Sequence, residues 1–173
     1  MLKGIPAILS PELLKRLCEM GHSDKLLIAD GNFPTHTVGA DSYIVRMDGH
    51  GVCEILDAVL QLFPLDSYTE RPVSIMEKVP GDTVATPIWD EFKSIVAKYD
   101  SRENAIGSIE RFAFYERAKK TYAVVITGEE VLPDYCNFGK STLWKHHVTK
   151  GCCIRLKKED ISALTRADCD GPI

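Results

Sequence analysis

The 173-residue sequence has no apolar run long enough to cross a bilayer. Its first residues also lack the succession of charged, apolar and small residues that marks a secretory signal. These two absences predict a cytosolic protein with no membrane partner. Hydrophobic residues make up 45% of the chain, which is enough to bury one core, so a single soluble domain is expected.

A concentrated basic surface is missing as well. The formal net charge is -4, with 21 lysines and arginines and 25 aspartates and glutamates mixed along the chain. The basic clusters are as short as Lys119-Lys120 and Lys157-Lys158. Because proteins bind nucleic acid by neutralising many phosphates, nucleic acid is not expected as a partner.

Motifs for phosphate loops and metal sites are absent: there is no GxGxxG, no GxxxxGK[ST], no HExxH and no paired CxxC. The six cysteines would suit a small secreted disulfide framework, but this chain is larger and has no export signal, so free thiols are expected. His146-His147 and Cys152-Cys153 could bind zinc in principle, although adjacent pairs lack the usual ligand spacing. No metal or other cofactor is therefore predicted.

An alternation of helical and strand patterns is what the sequence does contain. Lys25–Ala29 is a short buried run broken by Asp30-Gly31, which is typical of a strand. Two further strands are predicted over residues 73–79 and 122–128. Apolar residues at three- and four-residue intervals predict helices over residues 10–22, 52–63, 86–99 and 111–120. Strands that alternate with helices predict an α/β layered fold.

Two polar residues stand at either side of the first predicted strand. Asp30 follows it, and ligands of such sheets bind outside the carboxyl ends of strands. Asp-Gly is also an ordinary turn signal that needs no ligand to explain it. His22 precedes the strand and follows a helix-stopping glycine, where it could simply cap the helix carbonyls. On spacing alone, the functional and the structural interpretations both stay open.

Three longer segments follow one another along the chain: "LKGIPAILSPELLKRLCEMGHSDKLLIADGNFP", "FPLDSYTERPVSIMEKVPGD" and "IERFAFYERAKKTYAVVITGE". Together they resemble the ribose pyranase and fucose mutarotase (RbsD/FucU) family, and within it the fucose mutarotase branch. The resemblance covers residues 2 to about 130. It is specific, because "MGHSD" near the first strand and "RFAFYERA" near the last occur in the right order and separation.

The resemblance implies a single-domain layered α/β/α fold with a central mixed sheet. It also implies an isomerase that interconverts the α and β anomers of a free reducing sugar, with L-fucose favoured over D-ribose and related sugars. Such a reaction requires no metal or other cofactor. The family forms oligomers, so the resemblance further implies a homo-oligomer with sites near subunit boundaries.

On this sequence the resemblance places the catalytic residues at His22 in "EMGHSD" and Tyr115 in "RFAFYERA". The sugar-binding residues that it implies are Asp30, Asp66, Met76, Arg111, Tyr135 and Asn137. Without the resemblance, the residues of "RFAFYERA" would be interpreted as a solvated face and a core. Tyr135 and Asn137 flank Cys136, where the family has the glycine of a Tyr-Gly-Asn turn.

These residue types suit the opening and closing of a sugar ring. Opening removes a proton from the anomeric hydroxyl and delivers one to the ring oxygen, and closure on the other face reverses both transfers. Histidine titrates near neutral pH, so His22 can act as acid or base, with Tyr115 or a water as its partner. Asp30 and Asp66 would accept hydrogen bonds from sugar hydroxyls, and Arg111 would donate to them.

One geometric conflict accompanies this assignment. If Lys25–Ala29 is a full strand, His22 and Asp30 lie at opposite ends of roughly 16 Å of chain, farther than one monosaccharide reaches. Either the loop after the strand folds back, or the site is assembled at a subunit boundary. The oligomers that the resemblance implies favour the second arrangement.

The end of the chain departs from the family pattern. The family continues from its Tyr-Gly-Asn turn into a short apolar strand, whereas no clear strand pattern follows Asn137 here. We therefore predict a mutarotase-like domain over residues 1–137 and an atypical, poorly packed C-terminal tail over residues 138–173, with weak helical periodicity at 158–165. If the altered turn leaves the site open, the chain would instead be a catalytically impaired sugar-binding or assembly module with the same fold.

Overall fold

The computed structural model describes residues 3–78, 87–129 and 152–156. The helices are α1 (Pro11–Glu19), α2 (Thr35–Val38), α3 (Val52–Leu62), α4 (Ile88–Tyr99) and α5 (Arg111–Ala118). The strands are β1 (Lys25–Ala29), β2 (Tyr43–Met47), β3 (Val73–Met76), β4 (Ile106–Ile109), β5 (Ala123–Thr127) and β6 (Cys152–Arg155). Among these described segments, no helix has the length and apolar character that a membrane span requires.

The strands form one mixed sheet in the order β2-β5-β1-β6-β3-β4. β5 is parallel to β1 and β2, and β3 is parallel to β4, whereas β6 is antiparallel to both β1 and β3. All strands but β6 therefore run in one direction. Ala29, Met76 and Thr127 lie at what we call the carboxyl end of the sheet, and Lys25 and Val73 lie at the opposite, amino end.

Alternation along β1 divides the core between the two faces of the sheet. Leu26 and Ile28 pack in one buried cluster with residues of α1, α3 and α4. Leu27 and Ala29 pack in a second buried cluster with Phe114 of α5. Helices cover both faces of a mixed sheet, which confirms the expected layered α/β/α fold.

The segment Cys152–Arg155 occupies the middle of the sheet as β6, between β1 and β3. Cys152, Cys153 and Ile154 are 0%, 2% and 0% exposed. The prediction that no strand follows Asn137, and that the chain beyond it packs poorly, is therefore wrong for this segment. A four-residue run is too short for periodicity to identify, but backbone groups left open on β1 and β3 make it the strand that completes the sheet. Residues 157–173, with the expected helix at 158–165, lie outside the described residues.

The remaining predicted elements are present, with ends that differ by a few residues. β1 has the predicted bounds, whereas α1 ends at Glu19 because Met20 caps it and Gly21 begins the next turn. β2, β4 and α2 are elements that the sequence patterns did not indicate. β2 and β4 are the outer strands of the sheet, so their burial is incomplete, and α2 is a single turn without periodicity of its own.

Candidate active site

His22 lies in the turn that joins α1 to β1, at the amino end of the sheet. Asp24 holds this turn, because its carboxylate accepts a hydrogen bond from the Gly21 N–H at 2.7 Å. Ser23 adopts the left-handed conformation, with φ at 72°, so the chain reverses sharply beside the histidine. His22 is exposed, and its ring lies edge-on to that of Tyr68 with centroids 5.9 Å apart. An exposed imidazole in a fixed turn is well placed for proton transfer.

Asp66 lies beside this turn, although it follows α3 in the chain. Its carboxylate accepts hydrogen bonds from the Tyr68 N–H at 2.9 Å and the Thr69 hydroxyl at 2.8 Å, and lies 3.3 Å from Arg155 Nε. Burial by itself would raise the pKa of Asp66, but the two hydrogen bonds and the charge interactions with Arg155 and His22 outweigh burial and lower it. Asp66 therefore stays ionised near neutral pH and acts as an acceptor rather than as a proton donor.

Two arginines hold the loop that carries Asp66. Arg155 donates to the Thr69 hydroxyl at 2.9 Å, and its carbonyl accepts from the Asp66 N–H at 3.0 Å. Arg102 donates to the carbonyls of Thr69 and Asp66 at 2.8 and 3.1 Å. Hydrogen bonds from Arg102 lower the pKa of Asp100, which keeps this arginine paired and in place. The loop is thus fixed from two directions.

A second group of residues meets at the carboxyl end of the sheet. Asp30 follows β1 directly, is 0% exposed, and accepts a hydrogen bond from the Asn32 N–H at 2.9 Å. Met76, the last residue of β3, is 1% exposed and belongs to the same buried cluster as Phe33. Tyr115 of α5 packs against that cluster, with its ring centroid 6.0 Å from that of Phe33. A carboxylate, a methionine and a tyrosine from three elements therefore lie at this end of the sheet.

Arg111 completes this second group. It begins α5, where Glu110 caps the helix by accepting hydrogen bonds from the Phe112 and Ala113 N–H groups. The Arg111 guanidinium carbon lies 5.7 Å from the centroid of the Tyr115 ring, within the range of a cation–π contact. Within the described residues, Nε of Arg111 is buried and has no hydrogen-bond partner. A buried donor of this kind normally meets a ligand, a water or another chain.

The structure thus divides the predicted site residues into two sets. The carboxyl-end group is Asp30, Met76, Arg111 and Tyr115, and the amino-end group is His22 and Asp66. The length of β1, roughly 16 Å, separates the two groups. The loop after β1 does not fold back toward His22, since Gly31 donates to the carbonyl of Glu129 and Phe33 to that of Asp30. Tyr135 and Asn137 lie outside the described residues.

Two residues near the amino-end group were not identified from the sequence. Tyr68 is 82% exposed beside His22, and its position two residues after Asp66 in "PLDSY" was a signal for it. Arg155 had no such signal, because it follows a region without a recognisable pattern and reaches Asp66 only through the pairing of β6 with β1 and β3.

Cys53, Cys152 and Cys153 are free thiols in the described part of the chain. Burial raises the pKa of Cys153 to about 11, so this thiol stays protonated and unreactive at neutral pH. No group of three or more histidine, cysteine, aspartate or glutamate side chains in the described ranges could hold a metal ion. His146-His147 lie outside those ranges.

Comparison with known families and curated proteins gives consistent matches. A model of the RbsD / FucU transport protein family matches residues 3–138. The fucose mutarotase of Homo sapiens is 49% identical over 135 residues, which span 76% of this chain and 87% of that protein. The L-fucose mutarotase of Actinobacillus pleuropneumoniae serotype 5b is 46% identical over 129 residues, which span 75% of this chain and 88% of that protein.

Solved structures share the fold. The structure of FucU from Bifidobacterium longum has a TM-score of 0.78 and 49% sequence identity, covering 91% of this chain and all of that one. A fucose mutarotase from Streptococcus pneumoniae in complex with L-fucose has a TM-score of 0.75 and 33% identity, covering 92% of this chain and all of that one. Bacillus subtilis RbsD complexed with D-ribose, with a TM-score of 0.63 and 16% identity, shares the fold alone.

Proposed function

The chain belongs to the RbsD/FucU family, and on that basis we propose that it is an isomerase that interconverts the α and β anomers of L-fucose. The observation that carries this proposal is the similarity of most of the chain to proteins that are themselves fucose mutarotases, one of them solved with L-fucose. The family resemblance of the three sequence segments is confirmed by the same matches.

The reaction moves two protons and breaks one bond. A base takes the proton of the anomeric hydroxyl while an acid protonates the ring oxygen, the bond between the anomeric carbon and the ring oxygen breaks, and an open-chain aldehyde forms. Rotation about the next carbon–carbon bond presents the other face of the aldehyde, and the reverse transfers close the ring. One general acid and one general base are sufficient, and neither a metal nor a redox cofactor takes part in these steps.

We assign the acid/base role to His22, with Tyr115 or a water molecule as its partner. The histidine is exposed in a fixed turn, and the ionised carboxylate of Asp66 lies close enough to stabilise the imidazolium that forms when His22 takes a proton. Asp30 and the unpartnered Nε of Arg111 supply an acceptor and a donor for sugar hydroxyls at the other end of the sheet. Met76 would contact the sugar beside them.

Both groups can reach one sugar only if two protomers build the site. Within a single chain the length of β1 holds His22 away from Asp30, so we infer that the amino-end group of one protomer faces the carboxyl-end group of its neighbour. Exposed aromatic rings beside both groups support this inference: Tyr68 is 82% exposed and Phe112, next to Arg111, is 71% exposed.

An interface of this kind has a consequence for assembly. It joins two different surfaces of the same chain, so each protomer offers its amino end to one neighbour and its carboxyl end to another. Such head-to-tail contacts close into a ring when the rotation allows it. The proposed assembly is therefore a cyclic homo-oligomer with one composite site at each subunit boundary.

L-fucose is the proposed substrate in preference to D-ribose. The matched relatives of high identity are fucose mutarotases, whereas the ribose complex belongs to a protein that is only 16% identical. Anomer exchange measured side by side for the two sugars tests this preference. A ribose rate well above the fucose rate, under matched conditions, would contradict it.

The second candidate function is a sugar-binding or assembly module with impaired turnover. It is favoured by Cys136, which stands where the family has glycine between Tyr135 and Asn137. The other argument, that no strand follows Asn137, does not support it, because β6 lies between β1 and β3. Replacing Cys136 with glycine raises the exchange rate if this turn limits activity, and leaves it unchanged otherwise.

Saturation-transfer NMR on the equilibrium anomers of L-fucose tests the proposed function directly. Wild-type protein should speed the exchange, and His22→Ala should slow the protein-catalysed exchange by on the order of 10²-fold while L-fucose binding is largely kept. His50→Ala is the matched control, since its ring pairs with Glu54 on α3 and belongs to neither group. If the wild-type protein does not accelerate anomer exchange, the proposed isomerase activity is contradicted. If His22→Ala exchanges anomers as fast as wild type, the proposed role of His22 is contradicted.

A further inference from the structure

A cleft of about 530 Å³ opens on the α5 side of the sheet, toward its amino end. Its walls come from the start of β1, the end of β6, the strands β3 and β4, and the last turns of α5. None of the residues that line it belongs to the amino-end or carboxyl-end group. Two of them, Thr69 and Arg155, contact Asp66, so the cleft adjoins the amino-end group without including its residues.

The charge of this cleft is opposite in sign to that of the chain. Its lining cations are Lys25, Arg71, Arg117, Lys120 and Arg155, and its lining carboxylates are Glu70 and Glu116. Five positive and two negative side chains leave an excess of three positive charges, whereas the formal charge of the whole chain is -4. Such a local excess attracts anions.

The sheet wall of the cleft sets two like charges side by side. Lys25 and Arg155 are direct partners in the antiparallel register of β1 and β6, and like charges placed directly opposite destabilise a sheet. Asp66, 3.3 Å from Arg155 Nε, offsets one of the two charges. Lys25 forms no ion pair within the described part of the chain, so its charge faces the cleft without a counter-ion from these residues.

The helix wall adds two more cations. Arg117 lies in the last turn of α5 and Lys120 in the turn that follows it, where the Lys120 N–H donates to the Arg117 carbonyl. Arg117 also donates a hydrogen bond to the hydroxyl of Ser74, which is 2% exposed. In the described residues, neither cation forms an ion pair. A helix carboxyl terminus does favour cations, but this effect explains only the helix wall and not the pair of cations on the facing strands.

We propose that this cleft binds the phosphate ester of a monosaccharide. A phosphomonoester dianion between the two walls would neutralise charges that otherwise repel each other. The volume lies in the range of small-molecule sites and exceeds the space that a phosphate group fills. The hydroxyl of Ser108 and the carboxylate of Glu116 line the remaining space. Ser108 donates to Glu77 and Glu116 accepts from Lys119, so each keeps lone pairs that can accept from the hydroxyl groups of a sugar.

Isothermal calorimetry and phosphorus NMR with the full chain test this site, using glucose 6-phosphate, inorganic phosphate and glucose as probes. The sugar phosphate should bind more tightly than phosphate, and glucose should not bind in the cleft. Lys120→Gln, in the exposed turn that follows α5, should weaken sugar-phosphate binding about tenfold, and Lys25→Gln should do the same from the sheet wall. Lys93→Gln removes the same charge from α4, on the other face of the sheet, and should leave binding within about twofold.

Several results would overturn the proposal. If glucose 6-phosphate at millimolar concentration gives no binding heat and no phosphorus chemical-shift change, the cleft does not bind it. If Lys120→Gln and Lys93→Gln lose the same affinity, binding depends on the overall charge of the protein and not on the cleft. If inorganic phosphate binds as tightly as glucose 6-phosphate, the cleft does not recognise the sugar part of the ligand. If substitutions in the cleft change the mass of the assembly and leave sugar-phosphate binding unchanged, the cleft is a subunit contact and not a ligand site. None of these readouts depends on anomer exchange, so the proposed isomerase activity stands or falls separately.

Discussion

The rings of His22 and Tyr68 lie edge-on to each other, with centroids 5.9 Å apart and an angle of 79° between their planes. Tyr68 also donates its backbone N–H to the buried carboxylate of Asp66. One residue therefore contacts both members of the amino-end group. Because its side chain is 82% exposed, it also presents a flat apolar face beside them.

This arrangement predicts that the ring of Tyr68, and not its hydroxyl, supports turnover. Tyr68→Ala removes the edge contact that orients His22 and should slow anomer exchange by about 3- to 10-fold. Tyr68→Phe keeps the ring and should exchange L-fucose at close to the wild-type rate. Saturation-transfer NMR measures both variants, and equal exchange by Tyr68→Ala and wild type would show that the ring does not matter.

The composite site predicts that two inactive variants complement each other. His22→Ala damages the amino-end group and Asp30→Ala the carboxyl-end group, so each homo-oligomer should exchange anomers poorly. In a co-expressed, randomly mixed assembly, about a quarter of the boundaries would join two intact groups and recover activity. The control is a mixture of the two purified homo-oligomers, which do not exchange subunits and should therefore stay as inactive as each alone. A co-expressed assembly no more active than either variant alone would place both residues in one protomer's site.

Acid pH should lower the stability of the folded protein partly through Asp66. Its pKa is lowered in the folded state, so its ionised form contributes stability above its unfolded pKa, and this contribution is lost as the pH falls through the folded value. Asp66→Asn should therefore lower the free energy of unfolding by about 1 to 3 kcal/mol at pH 7, and the difference from wild type should shrink below about pH 4. Urea unfolding at several pH values measures this, and a difference that is constant with pH would contradict it.

The central position of β6 predicts a large cost for truncating its core residue. Ile154 is 0% exposed, so Ile154→Ala should lower the free energy of unfolding by about 2 to 5 kcal/mol. Ile106→Ala is the matched control, because Ile106 is only partly buried in the outer strand β4 and should cost less. Urea unfolding compares the two variants. A loss in Ile154→Ala no greater than in Ile106→Ala would mean that β6 is not a central strand.

The sequence by itself determined the elements whose burial is encoded locally. The apolar run between Lys25 and Asp30 predicted β1 with its observed bounds, because a fully buried strand between polar residues needs no information from elsewhere in the chain. The three sequence segments were sufficient to identify the family, and the family identified the candidate residues His22 and Asp30. Their roles in catalysis and binding stay predictions.

Only the tertiary structure decided which of those residues meet. It placed His22 and Asp66 at one end of the sheet and Asp30 and Tyr115 at the other, and it put Arg155 next to Asp66. Contacts of this kind depend on strand order and register, which join residues far apart in the chain and leave no local pattern. The same reason explains β6: four residues carry too little periodicity to indicate a strand, and they become one because β1 and β3 offer unpaired backbone groups on both sides.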